Sequence, residues 1–253
     1  MAFLRSLQPD ILTLQECNGF ELLGRRRLHR AVNDLGMARC FLAMANETTA
    51  GHRFHTAILV SERVRVLAEG ADVTRYHHVM GWATVQLAGV DGVMEIRHLH
   101  LDPFDPRNRA REIGPLEVLA APDRHALVMG DFNAVGINFP EPDWSAMGAH
   151  LLNGHLRPPG QPCVSDREAV ELLDRAGFRD AAALSGMEHV PTAAFGQGDV
   201  PRRQDLILAS PTLLPALANY QVHRVPVDEG LSDHCAVSVD LRPARLPASR
   251  ARC

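Results

Sequence analysis

Acids, amides and imidazoles stand just beyond the ends of short apolar runs at four places in this sequence. Pro9-Asp10-Ile11-Leu12-Thr13-Leu14-Gln15-Glu16 is an apolar run that ends in a carboxylate. His98-Leu99-His100-Leu101-Asp102 alternates, so that in an extended chain both imidazoles and Asp102 share a face. Val128-Met129-Gly130-Asp131-Phe132-Asn133 sends an acid and an amide out of a buried run together, and Leu231-Ser232-Asp233-His234 stands directly before another. Hydrolysis of an anionic phosphate ester needs a cation to neutralise developing charge, a base for water and donors aimed at the phosphoryl oxygens. Carboxylates, an amide and an oriented imidazole supply those parts.

The elements that must position these groups are short and rich in β-branched residues. Strands are predicted at Ile11–Gln15, Thr56–Val60, Val64–Ala68, Ala83–Leu87, Val93–Leu99, Ala126–Met129, Asp205–Ala209 and Ala236–Leu241. Helices are predicted at Glu21–Leu35, Asn108–Leu119 and Asp166–Ala176, the last with Ser165 as N-cap, Glu168 three residues on and Gly177 past its end. Met1 to Leu7 also reads as helical. Strands that follow one another without helices, from Thr56 to Leu101, imply antiparallel hairpins. With helices outside, the pattern suggests an α/β architecture of two packed sheets. Ala134 to Pro162 is Pro- and Gly-rich without periodicity, and a loop this long is functional or mobile. Residues 1–241 read as a single domain and 242–253 as a disordered tail.

At 253 residues, with 46% hydrophobic and 22% charged positions, the chain falls among soluble globular proteins. It has no apolar run long enough for a membrane span and no secretory signal, so the expected compartment is the cytoplasm. All 26 basic residues are arginine, yet the net charge is −4, which argues against a broad nucleic-acid-coating surface while leaving room for a local basic groove. Aromatics make up 5%, so stacking platforms for single strands are few. The five cysteines are scattered without a CxxC pair, which reads as reduced, mostly buried thiols.

The ordered strings PDILTLQE, HTAILVSERV, HLHLD, GDFNA, RRQDLILAS and GLSDHCAV resemble the endonuclease/exonuclease/phosphatase superfamily, the group of deoxyribonuclease I and exonuclease III. The resemblance covers nearly the whole chain. It implies a four-layer sandwich of two packed mixed β-sheets flanked by helices, and a phosphoesterase dependent on Mg2+ or Mn2+. Under it, Glu16 is similar to the family's metal-binding glutamate, with Asp233 near the metal directly or through water. Asp131 resembles the aspartate that orients or deprotonates the attacking water, and Asn133 the amide donor facing the phosphate. His234 resembles the histidine on the scissile phosphate, and Asp205 the aspartate that fixes its tautomer and raises its pKa. His100 matches the histidine that contacts phosphate or assists the leaving group. Family members usually begin with a strand whose Asn or Asp also reaches the metal, and that strand is absent from this sequence.

Other polar residues have plainer readings. Asp10 ties down the turn after Pro9, Asp102 caps or braces the loop at Pro103, and Arg203 is structural. His98 is either a satisfied structural histidine or a functional one. Gln15 supports the site or only its strand. Arg107, Arg109 and Arg111 form a solvated helical face or meet phosphate. Trp144 stacks on a substrate or anchors its loop. The substrate is expected to be a phosphodiester or phosphomonoester: nucleic acid, nucleotide, or a phospholipid or inositol headgroup. The alternative function is a catalytically impaired binding protein on the same scaffold. A zinc hydrolase is disfavoured, since the thirteen histidines include no HExxH and no cysteine–histidine ligand spacing.

Overall fold

A computed structural model describes residues 2–48, 50–88, 92–158 and 163–242. The predicted tail therefore lies outside the described residues, except Arg242, whose N–H donates to the Ala216 carbonyl at 2.7 Å.

The strands are β1 (Ile11–Leu14), β2 (Arg39–Ala43), β3 (Thr56–Val60), β4 (Val64–Asp72), β5 (Met80–Leu87), β6 (Met94–His100), β7 (His125–Asp131), β8 (Arg179–Asp180), β9 (Asp205–Ala209), β10 (Leu217–His223) and β11 (Ala236–Leu241). Six of them form one mixed sheet in the order β4-β5-β6-β7-β9-β8. Only β6 and β7 run parallel in it. Helices α1 (Ala2–Ser6) and α2 (Leu22–Leu35) lie earlier in the chain, and the crossover between β6 and β7 carries α3 (Pro106–Ile113), as a parallel pair requires.

The packed sheets with helices outside are the α/β sandwich expected, and the facing layer is a divided one. Among the described residues it consists of two antiparallel pieces, the three strands β1-β3-β2 and the hairpin β10-β11. Strands β1 and β11 each have a single hydrogen-bonded partner, and a groove of about 980 Å3 lies between them. An N-terminal helix, Ala2–Ser6, precedes β1 as predicted.

Strand alternation divides the core. Ile96, Leu127, Ile207 and Ala209 face inward and pack with Ile58 and Val60 of β3 and Tyr220 of β10, filling the space between the sheets. The opposite set, Leu99, Ala126, Val128, Leu206 and Leu208, packs against Ile113 of α3 and Leu173 of a second outer helix, Glu168–Ala176. Helix α3 starts where Asp105 accepts from the Arg107 N–H with Pro106 at the first helical position. The predicted helix to Leu119 changes at Gly114-Pro115 into a 3-10 segment, Gly114–Ala120, because Pro115 has no N–H to continue the ladder. The Ser165 cap does not form: its hydroxyl is held by Glu141, and the Asp166 carboxylate accepts from the Glu168 N–H instead.

The long loop after β7 is built, not featureless, over its described part. Trp144, Met147, Val135 and Val200 make a small core of their own. No helix of the described residues is long and apolar enough to cross a membrane. The four described cysteines are free: Cys17 and Cys235 are buried, Cys40 half-buried and Cys163 exposed.

Candidate active site

Three of the expected residues lie on one line across three neighbouring strands. The sheet register pairs His100 of β6 with Asp131 of β7, and Asp131 with Asp205 of β9. All three share the inward parity of Ile96, Leu127 and Ile207, so they stand at one end of the sandwich, where the inter-sheet core opens. Two constraints bring β6 and β7 together there. Gly130 has φ +134°, and a Cβ on it would run into the Leu99 backbone, so only glycine serves at this position. Asn133 takes φ +49°, a left-handed conformation that Asn tolerates better than most residues.

His234 comes from the loop before β11 and closes the row. Its Nδ1 lies 2.9 Å from Asp205 Oδ2 and 3.2 Å from Oδ1. Thr192 holds that carboxylate from the other side. Its hydroxyl donates to Asp205 Oδ2 at 2.7 Å while accepting from the Gln204 and Asp205 N–H groups at 3.2 and 3.1 Å. The Thr192 carbonyl accepts from the Cys235 N–H at 2.7 Å, tying the histidine's loop to the same residue. Burial alone would lower the His234 pKa. The Asp205 hydrogen bond, then the charges of Asp205, Asp131 and Asp233, outweigh it and raise it to about 10. His234 is therefore an imidazolium at neutral pH.

Asp131 is buried and accepts from the Asn133 N–H at 2.8 Å, with Gln204 Nε2 at 3.5 Å from its other oxygen. Burial pushes its carboxyl above the ordinary value, and the His234 charge pulls it back. The His100 Nε2 stands 3.7 Å from Asp131 Oδ2. Burial, followed by the His234 charge, lowers the His100 pKa to about 4, so that ring is neutral. One site thus holds a cationic imidazole, a neutral imidazole and a buried carboxylate with raised basicity. The Asn133 amide differs from a donor pointing freely at substrate: one Nδ2 hydrogen goes to the Leu101 carbonyl at 2.9 Å, leaving the second.

The remaining acids flank the groove between β1 and β11. Glu16 follows β1 with φ +51°, and Asp233 precedes β11; both are exposed and both line the groove beside Asp131, Asp205 and His234. Partial burial, then the negative charges of Asp233 and Asp131, raise the Glu16 pKa. Like charges that penalise one another in this way accommodate a cation. Among the described residues no three metal-ligating side chains converge closely enough to cage an ion unaided. Mg2+ does not require a cage, because one or two carboxylates plus substrate phosphate and water suffice for it. The hard-oxygen pair Glu16 and Asp233 fits such an ion.

Most of the other residues singled out from sequence have local partners. Asp10 accepts from Ser61 Oγ at 2.6 Å and Arg63 Nε at 2.7 Å. Asp102 braces its loop by accepting from the Phe104 and Asp105 N–H groups and from Asn108 Nδ2. Arg109 is fully buried and donates to the Asp102 and Gly154 carbonyls, so it is no part of a solvated face; Arg107 and Arg111 are exposed. Arg203 is buried against the Glu188 carbonyl and Asp180. Trp144 is buried, bonded through Nε1 to Glu141 and stacked on His155. His98 is fully buried, with neither ring nitrogen hydrogen-bonded. Sequence reasoning missed Thr192, Gln204 and His78. Of these only Gln204, inside the Arg-Gln-Asp string, carried a local signal.

A comparison with curated proteins by sequence finds no match. Solved structures match along nearly the whole chain. An AP endonuclease from Archaeoglobus fulgidus has 17% identity and a TM-score of 0.63, covering 95% of this chain and 91% of its own. An endonuclease/exonuclease/phosphatase from Beutenbergia cavernae has 16% identity and a TM-score of 0.67, covering 99% and 66%. A 3' phosphatase, NExo, from Neisseria, bound to a product DNA hairpin, has 15% identity and a TM-score of 0.61, covering 92% and 89%. At such identities these show a shared fold. Residues 1–234 match the profile of the Endonuclease/Exonuclease/phosphatase family, and the chain belongs to that family.

Proposed function

We propose that the chain is a metal-dependent phosphoesterase hydrolysing a phosphodiester or phosphomonoester at the His100–Asp131–Asp205–His234 row. The observation that carries this reading is the register line itself. A base, its neighbouring neutral imidazole and the carboxylate that charges His234 come from adjacent strands at one sheet end. Rigid strand ends suit groups that must meet a reacting phosphorus within tenths of an ångström.

In this mechanism the substrate phosphate sits between His234 and Asp131. The His234 imidazolium donates to a phosphoryl oxygen and stabilises the charge that grows there. Asp131 accepts the proton of the attacking water, a role its raised pKa favours. The second Asn133 hydrogen and neutral His100 provide further donors around the phosphate. Glu16 and Asp233 would hold Mg2+ or Mn2+, which when bound supplies Lewis-acid neutralisation of the ester's charge. Likeness to an AP endonuclease and to a phosphatase solved with DNA supports nucleic acid among the substrate classes.

The test is an assay of the purified protein, with and without Mg2+ or Mn2+, on bis-p-nitrophenyl phosphate, plasmid DNA and sphingomyelin. Metal-dependent turnover of at least one is expected, and loss of it in Asp131→Ala and His234→Ala. The competing reading, a binding protein of impaired catalysis, draws on the open β1–β11 groove and a metal side that rests on the Glu16 and Asp233 carboxylates. Tight substrate binding without turnover at any metal concentration would favour it.

A further inference from the structure

The proposed site has an aromatic wall on one side, in a chain with only 5% aromatic residues. The rings run in unbroken contact outward from Asp131. His100 lies 4.4 Å from His78 between ring centroids, His78 4.6 Å from His77, and His77 5.9 Å from Phe104. Phe54 packs behind, 4.8 Å from His78 and 6.2 Å from His100. The His100 and His78 rings are buried, Phe54 is half-buried, His77 is part-exposed with its side chain at 31%, and Phe104 at the outer end is 74% exposed.

Phe104 is exposed on a loop that is firmly tied. The Asp102 carboxylate accepts from the Phe104 N–H at 2.8 Å, the Asp105 N–H at 3.1 Å and Asn108 Nδ2 at 2.8 Å, and faces His77 Nδ1 at 3.2 Å. Buried Glu112 accepts from the backbone N–H groups of His77 and Asp102, at 2.5 and 3.0 Å, tying His77 to the turn that carries Phe104. Arg109 clamps the same turn through the Asp102 carbonyl. Gly154 leaves the Pro103 carbonyl just enough space: a Cβ there would approach it to 2.7 Å. The turn is thus ordered by its own hydrogen bonds while the Phe104 ring stays in water, so a ligand that stacks on the ring meets it already held in place.

We propose that Phe104, braced edge-to-face on His77, is a stacking platform for an unpaired nucleobase flanking the proposed site. The substrate class is then a nucleotide or single-stranded nucleic acid, in which a base face is free to stack. The inference rests on the phosphoesterase reading for the position of the phosphate, and its test is independent of turnover.

Asp131→Ala protein, which binds without cleaving, would be titrated into a short single-stranded oligonucleotide carrying 2-aminopurine, whose fluorescence falls on stacking. Quenching is expected, with binding about tenfold or more weaker when Phe104→Ala is added and retained with Phe104→Trp. Equal quenching and affinity with and without Phe104→Ala would overturn the platform. So would tighter binding of the duplex than of the single strand. Because Phe104 is exposed, the variant is expected to melt with its parent, which a thermal scan checks. If the wild-type chain turns over none of the phosphoesters yet the Phe104-dependent quenching persists, the phosphoesterase reading fails and the platform stands.

Discussion

Asp205→Asn isolates the charge that keeps His234 cationic. The His234 pKa rises from the ordinary 6.5 to about 10, which corresponds to roughly 5 kcal/mol of net preference for the protonated ring. Asparagine preserves the shape of the side chain and an acceptor oxygen for Nδ1 while removing the charge. An opposite charge this close shifts a neighbour's pKa by about 1–3 units, so with the acceptor kept the substitution should lower the His234 pKa by roughly 1–2 units. Following the imidazole Cε1–H resonance with pH reads that shift directly, without any substrate. In kcat/KM profiles a basic limb is expected near pH 10 for the wild type, and it should move down by the same amount in the variant. The folded-state pKa lies above the unfolded value. The pair's contribution to stability is therefore fully present below about pH 6.5 and is lost as pH rises through about 10. Denaturant melts should accordingly show the gap between wild type and Asp205→Asn narrowing across that window. A His234 resonance that titrates at the same pH in both proteins would refute the assignment of its charge to Asp205.

Three further perturbations probe the supporting structure. Thr192→Val strips a hydroxyl bonded to Asp205 and two backbone N–H groups. It should cost about 1–3 kcal/mol in a urea melt and lower kcat, with Thr192→Ser restoring most of both. Gly130→Ala forces a Cβ into the Leu99 backbone at φ +134°, so circular dichroism should show a chain that fails to fold or melts far below wild type. Glu16→Gln and Asp233→Asn should each raise the Mg2+ concentration needed for half-maximal activity, while leaving the His234 resonance cationic at pH 7. A metal titration alongside the NMR spectrum separates those effects.

The strands that carry the site were legible because each is a short apolar run ending in polar groups. Leu127 and Met129 lead to Asp131, and Ile207 follows Asp205, on the alternation that later proved to face the inter-sheet core. Strand β10 escaped sequence reading because its alternation is broken. Asn219 takes φ +52°, and the pairing slips between Ala218 and Gln221. Strand β2 is only Arg39–Ala43, and although Gly36 ends the helix before it, its run Cys40-Phe41-Leu42-Ala43 shows no alternation. The site was legible where one string held several of its groups, as in Gly130-Asp131-Phe132-Asn133. Thr192 and His78 were not. Each acts through a partner far along the chain, Asp205 for Thr192 and His100 for His78, and nothing in the flanking residues announces such a contact. The division of the facing layer and the groove between β1 and β11 emerge only once β10 and β11 pair, a contact that neither segment announces.

The central claim is that His100, Asp131, Asp205 and His234 form one hydrolytic unit. Its most direct test is kcat/KM on bis-p-nitrophenyl phosphate in saturating Mg2+ or Mn2+ for Asp131→Ala, His234→Ala and the double variant. Residues that act together fail together, so each single change should abolish most of the metal-dependent rate and the double variant should be little worse than either. Wild-type turnover in either single variant, or losses that multiply fully in the double variant, would contradict it.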